Sequence, residues 1–208
     1  MNPTSNYPTL LILAGGKSSR MGKPKGLLPF DNSFWILHQI ENYIGNDVCI
    51  GLGFDYQLYF EAIPWLEKAV SETQYYNDKK IRVTINTTPE FGLFSTLQSV
   101  LKQVDNNQNL LIIPVDVPLL NSSEQEKMIS IENIIVIPTY KNKNGHPVKL
   151  KPEYWNSLIH LNVADEDSRL DLQIKKRNAS EISMIDVSDA SCIKNLNTPK
   201  EWQEFINS

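Results

Sequence analysis

A short segment near the N-terminus combines glycines and cations in a spacing suited to phosphate binding. It runs from Leu13 to Lys25 and reads Leu-Ala-Gly-Gly-Lys-Ser-Ser-Arg-Met-Gly-Lys-Pro-Lys. Adjacent glycines let a ligand approach the backbone without a Cβ in the way, and successive N–H groups in such a turn form a concave anion site. Arg20 can grip a phosphate with its planar fork, while Lys25 supplies a point charge. The segment therefore predicts a site for a phosphorylated ligand; the alternative is a solvated basic loop.

Two better-known phosphate-binding motifs are excluded by the same residues. Gly16-Lys17-Ser18 looks like the end of a P-loop, but that motif requires a further glycine at the position where Leu11 stands. Gly51-Leu52-Gly53 lacks the third glycine of the dinucleotide pattern GxGxxG. We therefore expect neither a Walker-type NTPase nor a hydride-transferring enzyme.

The glycine-rich segment follows an apolar run, and similar runs alternate with amphipathic stretches along the chain. Short runs rich in Ile, Val and Leu predict strands buried on both faces, as in a parallel sheet; they are Thr9–Leu13, Asp47–Gly53, Lys80–Asn86, Asn109–Pro114 and Glu132–Pro138. Apolar residues spaced three and four apart predict helices at Ser33–Ile44, Tyr56–Ser71, Phe94–Val104 and Ser122–Ser130. This alternation implies right-handed βαβ units. We expect an α/β fold with a Rossmann-like, doubly wound, mostly parallel sheet flanked by helices.

The last third of the chain departs from that rhythm. Two extended segments, Ile134–Tyr140 and Pro147–Leu150, are joined by a predicted turn. The elements expected after them are helices at Glu153–His160 and about Asp165–Lys176, a strand at Ile182–Val187, and a helix at Lys200–Ile206 that Thr198 caps and Pro199 begins. No linker or repeat interrupts the chain, so residues 1–208 are predicted to form a single domain. Its nucleotide-binding part is expected at about residues 9–120 and its acceptor-binding part at about residues 121–208.

Composition limits the class of protein and of partner. The chain has 208 residues, 41% of them hydrophobic, and a net charge of −4, which argues against a nucleic-acid binder. Its two cysteines, Cys49 and Cys192, are expected to be buried, reduced thiols rather than a disulfide or a zinc site. Met1–Pro8 is polar and Thr9–Leu13 is short, so neither a signal peptide nor a membrane helix is expected. These features predict a soluble, cytoplasmic protein that binds no membrane.

The segment Leu13–Lys25, together with Leu27-Leu28-Pro29, resembles the opening motif LAGGxSxRMGxxKxLLP of the MobA-like nucleotidyltransferases. That family includes molybdenum-cofactor guanylyl- and cytidylyltransferases and is related to sugar-phosphate and isoprenoid cytidylyltransferases. The resemblance implies transfer of a nucleoside monophosphate from an NTP to a phosphate-bearing acceptor, with release of pyrophosphate. Molybdopterin is the first expected acceptor. The alternatives are a sugar or polyol phosphate, or a nucleotide-binding module without catalysis.

The resemblance also implies which residues act on the nucleotide and on a magnesium ion. Ile112–Pro118 resembles the family's xxDxP segment, whose aspartate binds magnesium; an ordinary strand-ending aspartate is the alternative for Asp116. Asn195–Pro199 resembles the NxNTP or DxDTP element, in which Asn197 would be a weaker Mg²⁺ ligand than aspartate. Arg20, Lys25 and Asp116 are the expected catalytic residues. Nucleotide contacts are expected from Leu13, Ala14, Gly15, Gly16, Lys17, Ser18, Ser19, Arg20, Met21, Gly22, Lys25, Gly92 and Ser95, although N-capping of a helix explains Ser95 equally well.

Acceptor recognition and base choice are less sharply indicated. Gly145-His146-Pro147-Val148 resembles the family's GxPV block, where His146 either shapes the pocket or acts as a base. Arg169 falls where cytidylyltransferases show GDxGAR, but the glycines are missing; a surface ion pair with Asp165 or Glu166 is the alternative to acceptor binding. The LAGG form and Asn197 favour GTP, whereas Phe91–Leu97 and the Gly-His-Pro-Val block favour CTP, so the base stays open.

Overall fold

A nine-stranded mixed sheet forms the centre of the protein, and the computed structural model describes residues 7–207. The strands are β1 (Thr9–Ala14), β2 (Pro29–Phe30), β3 (Ser33–Phe34), β4 (Asp47–Leu52), β5 (Gln74–Tyr76), β6 (Lys79–Ile85), β7 (Leu110–Pro114), β8 (Ile135–Tyr140), β9 (Lys143–Asn144), β10 (Val148–Leu150) and β11 (Ile182–Asp186). The helices are α1 (Trp35–Glu41), α2 (Tyr56–Ala62), α3 (Trp65–Lys68), α4 (Leu93–Leu101), α5 (Ser122–Ser130), α6 (Pro152–Leu158), α7 (Leu170–Lys175) and α8 (Pro199–Ile206).

The strand order confirms the predicted doubly wound α/β fold. The central sheet runs β11-β8-β10-β7-β1-β4-β6-β5, with β9 paired to β8, while β2 and β3 form a separate hairpin. Strand β1 pairs in parallel with both β4 and β7, so the chain winds outward in two directions from β1. Ligands of such sheets bind at this reversal, beyond the carboxyl ends of the strands.

The two faces of the sheet bury two separate hydrophobic clusters. In β1, Leu10, Ile12 and Ala14 face the cluster that includes α1 and α8, whereas Leu11 and Leu13 face the one that includes α4 and α6. A strand buried on both faces is what the unbroken apolar run predicts. Helices on both faces of one sheet make the described residues a single domain.

Several elements differ from their predicted form, among them the helix expected at Ser33–Ile44, of which only Trp35–Glu41 is helical. The stretch Tyr56–Ser71 is divided into α2 and α3, since Pro64 lacks the N–H that would continue the first helix. Only Leu170–Lys175 is helical within Asp165–Lys176; the hydroxyl of Ser168 donates to the Asn162 carbonyl instead and holds a turn. Strand β5 was not predicted; it joins β6 through a turn whose two residues both have positive φ.

Cys49 and Cys192 are both buried and free, as predicted. Within residues 7–207, no helix is long and apolar enough to cross a membrane. Of the polar segment Met1–Pro8, residues 1–6 lie outside the described part of the chain.

Candidate active site

The glycine-rich loop after β1 is a tight, largely exposed turn. The Met21 N–H donates to the Ser18 carbonyl at 2.8 Å, and the Ser18 hydroxyl accepts from the Lys25 N–H at 3.3 Å. Positive φ at Ser18 (49°) and Gly22 (70°) closes the turn. The loop residues Gly16, Lys17, Ser19, Arg20 and Gly22 are exposed, whereas Leu13, Ala14, Gly15 and Met21 are buried. The exposed backbone therefore presents N–H groups to solvent at the carboxyl edge of the sheet, where an anion can bind.

The two adjacent glycines have different surroundings. A Cβ at Gly15 would lie 2.2 Å from the Oγ1 of Thr96, a residue of α4, whereas a Cβ at Gly16 would meet nothing within 4 Å. The Gly15 carbonyl also accepts from the Phe54 N–H, which follows β4. Lys17 places its Nζ 5.2 Å from the centroid of the Phe54 ring. Gly15 is thus a packing position, and Gly16 is the one open to a ligand.

Asn86, which follows β6, is hydrogen-bonded to α4, the helix whose Thr96 packs against Gly15. Its side chain is 2% exposed, and its Nδ2 donates to the Ser95 Oγ at 2.8 Å and to the Thr96 Oγ1 at 3.0 Å. Its Oδ1 accepts from the Thr88 N–H at 3.0 Å. Asn86 was not among the predicted site residues, although a polar residue at the end of a buried strand is a usable signal.

Ser95 and Gly92 both lie in the first turn of α4, where each has a structural role. The Ser95 hydroxyl donates to the carbonyls of Gly92 and Thr88, and the residue is 2% exposed. Gly92 is the N-cap, with a φ of 84°, and it is exposed. The Ser95 hydroxyl is therefore committed to bonds within the fold, but it does not cap α4, because Gly92 is the N-cap and no side chain within residues 7–207 accepts from the first N–H groups of the helix.

Lys25, Asp116 and Asn197 meet at the carboxyl ends of β1 and β7. The Lys25 Nζ lies 2.7 Å from the Asp116 Oδ2 and 2.6 Å from the Asn197 Oδ1. The side chains of Lys25 and Asp116 are 14% and 19% exposed, so this ion pair is partly shielded from water. The carboxylate therefore lies beside the glycine-rich loop, at the place the strand ends predicted.

Two buried side chains of α1 hold the segment that carries Asp116. The Trp35 Nε1 donates to the Val115 carbonyl at 2.7 Å. The Gln39 amide donates to the Val117 carbonyl at 2.6 Å and accepts from the Leu119 N–H at 2.9 Å. These bonds fix the backbone on both sides of the carboxylate. Neither residue was predicted as part of the site, because nothing in an amphipathic helix marks which side chain reaches a distant loop.

The segment 195–199 is fastened to Asp116 and to the start of α8. The Leu196 N–H donates to the Asp116 carbonyl at 2.8 Å. Thr198 caps α8, and the Glu201 carboxylate accepts from the N–H groups of Thr198 and Asn197, so the two residues form a capping box. The Thr198 hydroxyl is the main reason that the pKa of Glu201 lies below its ordinary value, and the charge of Arg20 contributes to the same shift. Arg20 is therefore near enough to Glu201 for the two charges to interact.

Of the predicted acceptor residues, Gly145 and His146 pack against Cys192, whereas Arg169 forms a surface ion pair. A Cβ at Gly145 would lie 2.5 Å from the Cys192 carbonyl, and the His146 N–H donates to that same carbonyl at 2.8 Å. Burial lowers the pKa of His146, and the nearby Asp116 carboxylate opposes the shift in part. Arg169 instead pairs with Asp171, at 3.1 Å. Its surface ion pair was predicted with Asp165 or Glu166, and that partner was wrong.

The residues present fit a magnesium ion held mainly by its substrate. No group of three or more His, Cys, Asp or Glu side chains within residues 7–207 is arranged to hold a metal. Asp116 and Asn197 nevertheless direct two oxygen atoms at one point, which the Lys25 ammonium occupies as a stand-in cation. Mg²⁺ is commonly bound by one or two carboxylates together with substrate phosphates and water. A site with one carboxylate and one amide oxygen matches that pattern.

Comparison with known proteins identifies the family of this chain. The sequence model of the MobA-like NTP transferase domain matches residues 10–177. The molybdenum cofactor guanylyltransferase of Xanthomonas euvesicatoria pv. vesicatoria is 22% identical over 199 residues, which cover 96% of this chain and 94% of that protein.

Two solved structures show the same fold. Rv0371c from Mycobacterium tuberculosis H37Rv, in complex with manganese, has a TM-score of 0.69 at 16% identity and covers 96% of this chain and 98% of its own. The molybdopterin-guanine dinucleotide biosynthesis protein A of Archaeoglobus fulgidus has a TM-score of 0.67 at 11% identity, with 96% and 97% covered. The family match spans most of the chain, from β1 to the end of α7. The protein therefore belongs to the MobA-like NTP transferase family.

Proposed function

We propose that this protein transfers a nucleoside monophosphate from an NTP to the phosphate of a small acceptor and releases pyrophosphate. The observation that carries the proposal is the 2.7 Å contact between Lys25 and Asp116 beside the open glycine-rich loop. A site for a nucleoside triphosphate needs both cationic groups for the phosphates and an acidic metal ligand. Here the Lys25 ammonium and the Asp116 carboxylate lie side by side. Arg20 extends the positive charge toward α8.

The reaction is driven by positioning and charge neutralisation rather than by proton transfer. The acceptor phosphate is largely ionised at neutral pH, so one of its oxygens attacks the α-phosphorus directly. The bond from the α-phosphorus to the bridging oxygen of the pyrophosphate breaks, and pyrophosphate leaves. Arg20 and Lys25 stabilise the negative charge that develops on the leaving group. His146, whose pKa is lowered by burial, serves as a neutral wall on the acceptor side rather than as the base.

Asp116 and Asn197 are the residues that would hold Mg²⁺. When bound, the ion polarises the α-phosphate as a Lewis acid and neutralises charge on the triphosphate. The protein contributes a fixed carboxylate, because Trp35, Gln39 and the 195–199 segment restrain the backbone around Asp116. Manganese in the mycobacterial structure supports a divalent cation in this fold.

GTP and molybdopterin are the substrates we propose first. The curated relative that covers almost the whole chain is named a molybdenum cofactor guanylyltransferase, and the archaeal structure is named for molybdopterin-guanine dinucleotide biosynthesis. Asn197, rather than aspartate, is the residue that the guanylyltransferase-like pattern shows. CTP with molybdopterin, and either nucleotide with a sugar or polyol phosphate, are the competing pairs.

A screen for pyrophosphate release tests the proposal. Purified protein with Mg²⁺ is incubated with each of four NTPs and with molybdopterin, sugar 1-phosphates or polyol phosphates. We expect release with GTP and molybdopterin, and a loss of about 100- to 1000-fold in Lys25→Ala and Asp116→Ala, the range seen when one transition-state charge contact is removed. Circular dichroism checks that both variants are folded.

Each outcome of the screen separates the proposal from its competitors. Nucleotide binding without pyrophosphate release under any pair identifies a non-catalytic module instead. Near-normal turnover in either alanine variant shows that the site assignment is wrong. Release only with a sugar or polyol phosphate moves the protein to the other acceptor class.

A further inference from the structure

The ammonium group of Lys25 lies at the point on which the candidate metal ligands converge. It is within 2.7 Å of the Asp116 Oδ2 and 2.6 Å of the Asn197 Oδ1. Asp116 and Asn197 come from segments far apart in the chain, and both direct an oxygen at the same nitrogen. The ammonium therefore uses the lone pairs that a divalent cation needs.

This arrangement is built into the fold around Lys25. The Lys25 N–H donates to the Ser18 hydroxyl, and the next residue, Gly26, donates its N–H to the hydroxyl of the buried Tyr59 at 3.3 Å. A Cβ at Gly26 would lie 2.8 Å from the Tyr59 hydroxyl oxygen, so the backbone is held closely against α2. Because hydrogen bonds hold the main chain at Lys25 and Gly26, the Lys25 Cα has a fixed position from which the side chain reaches Asp116.

We infer that Lys25 acts as a specificity-determining residue that makes the site select a metal–triphosphate complex over the free metal ion. In the free protein the ammonium neutralises Asp116 and occupies its oxygens. A divalent ion that arrives alone must displace the ammonium, which then gains no other anionic partner. A triphosphate offers Lys25 several anionic oxygens in exchange and leaves Asp116 and Asn197 for the ion that the triphosphate carries. The inference rests on the proposed function for the identity of the nucleotide, but the competition at Asp116 does not depend on it.

The expected size of the effect follows from the charge of Lys25. A free divalent ion has to break the two charge-assisted contacts that the Lys25 ammonium makes with the Asp116 and Asn197 oxygens. One such hydrogen bond to a charged group changes an equilibrium constant by about tenfold or more. We therefore expect removal of the ammonium to tighten binding of the free ion by at least about tenfold.

Titration with Mn²⁺ followed by electron paramagnetic resonance tests the inference without nucleotide or acceptor. The signal of free Mn²⁺ falls as the ion binds, which gives a dissociation constant for the metal alone. Lys25→Met and Lys25→Ala should bind Mn²⁺ at least about tenfold more tightly than the wild type. The gain should vanish when Asp116→Asn is added to Lys25→Met. Lys23→Met removes a charge from the same exposed loop and should leave the Mn²⁺ affinity unchanged.

The results that overturn the inference are distinct from those that overturn the proposed function. Equal or weaker Mn²⁺ binding in both folded Lys25 variants contradicts it, as does a gain that survives Asp116→Asn or is matched by Lys23→Met. Two Lys25 variants are used so that misfolding of one, seen by circular dichroism, leaves a result from the other. Tighter Mn²⁺ binding in the variants, together with no pyrophosphate release by the wild type, would support the competition and reject the catalytic role.

Discussion

The adjacent glycines of the loop lead to a prediction that separates packing from ligand access. A methyl group added at Gly15 would lie 2.2 Å from the Oγ1 and 3.0 Å from the Cγ2 of Thr96. Thr96 is fully buried, and its hydroxyl accepts a hydrogen bond from Asn86, so it cannot turn away without losing that bond. A methyl group at Gly16 meets nothing within 4 Å, and Gly16 is exposed.

These distances set the expected stability changes. Overpacking a well-filled interior costs about 1–3 kcal/mol, so Gly15→Ala should lower the melting temperature by roughly 2–12 °C in a protein of this size. Gly16→Ala should change the free energy of unfolding by no more than about 0.5 kcal/mol. Gly16→Ala should nevertheless weaken nucleotide binding, because its methyl group projects from the loop backbone that we propose faces the phosphates.

Thermal denaturation followed by circular dichroism, with titration of a fluorescent NTP, measures both effects. The Thr96→Ala substitution removes the two nearest atoms, and its combination with Gly15→Ala should show a favourable coupling of about 1 kcal/mol or more in a double-mutant cycle. Equal melting temperatures for Gly15→Ala and Gly16→Ala would refute the packing argument. A coupling energy of zero would show that Thr96 is not the obstacle.

Three further predictions concern the supports of the site. Thr198→Ala should cost about 1 kcal/mol in urea denaturation because α8 loses its cap, whereas Thr198→Ser should cost less. Gln39→Met should cost about 1–3 kcal/mol by leaving the buried Val117 carbonyl and the half-buried Leu119 N–H unpaired. It should also lower turnover in the pyrophosphate assay by displacing the Asp116 segment. The pKa of His146 lies below its ordinary value of 6.5 because burial disfavours the charged ring. Protonation therefore favours the unfolded state, so wild-type stability should fall as the pH drops below 6.5, and His146→Gln should flatten that fall; an unchanged pH profile would contradict the burial argument.

Local sequence pattern was sufficient to predict most of the sheet. The runs at Thr9–Leu13 and Asn109–Pro114 became β1 and β7 with ends shifted by one residue. Such runs are informative because a strand buried on both faces needs apolar residues at every position. Ser122–Ser130 became α5 with the predicted bounds, since Asn121 caps its first turn and accepts from the Glu124 N–H.

Two parts of the fold were harder to predict from local pattern, each for a different reason. A proline inside an apolar periodic stretch divides α2 from α3, and the pattern across Pro64 looks like one helix until the missing N–H is considered. Strand β10 lies antiparallel between β7 and β8, with only three residues. Its place in the sheet depends on partners distant in sequence, which pattern alone does not reveal.

In the candidate site, too, features next to a strand were predicted, whereas contacts between residues far apart in the sequence were not. Residue types predicted the glycine-rich loop and Asp116, because each follows a strand that ends at one edge of the sheet. The contact between Lys25 and Asn197 joins residues 172 positions apart, and the supporting bonds from Gln39 span about 80 positions. Only the folded chain reveals such pairs, which is why Trp35 and Gln39 were absent from the prediction.

The position of an isotopic label tests the central claim most directly. GTP labelled with ³²P at the α-phosphate is compared with GTP labelled at the γ-phosphate, each incubated with Mg²⁺, molybdopterin and the wild-type protein. Nucleotidyl transfer predicts that the α-label enters a nucleotide–acceptor product and that the γ-label leaves in pyrophosphate. Transfer of the γ-label to the acceptor, or its release as orthophosphate, would show a kinase or an NTPase and contradict the account.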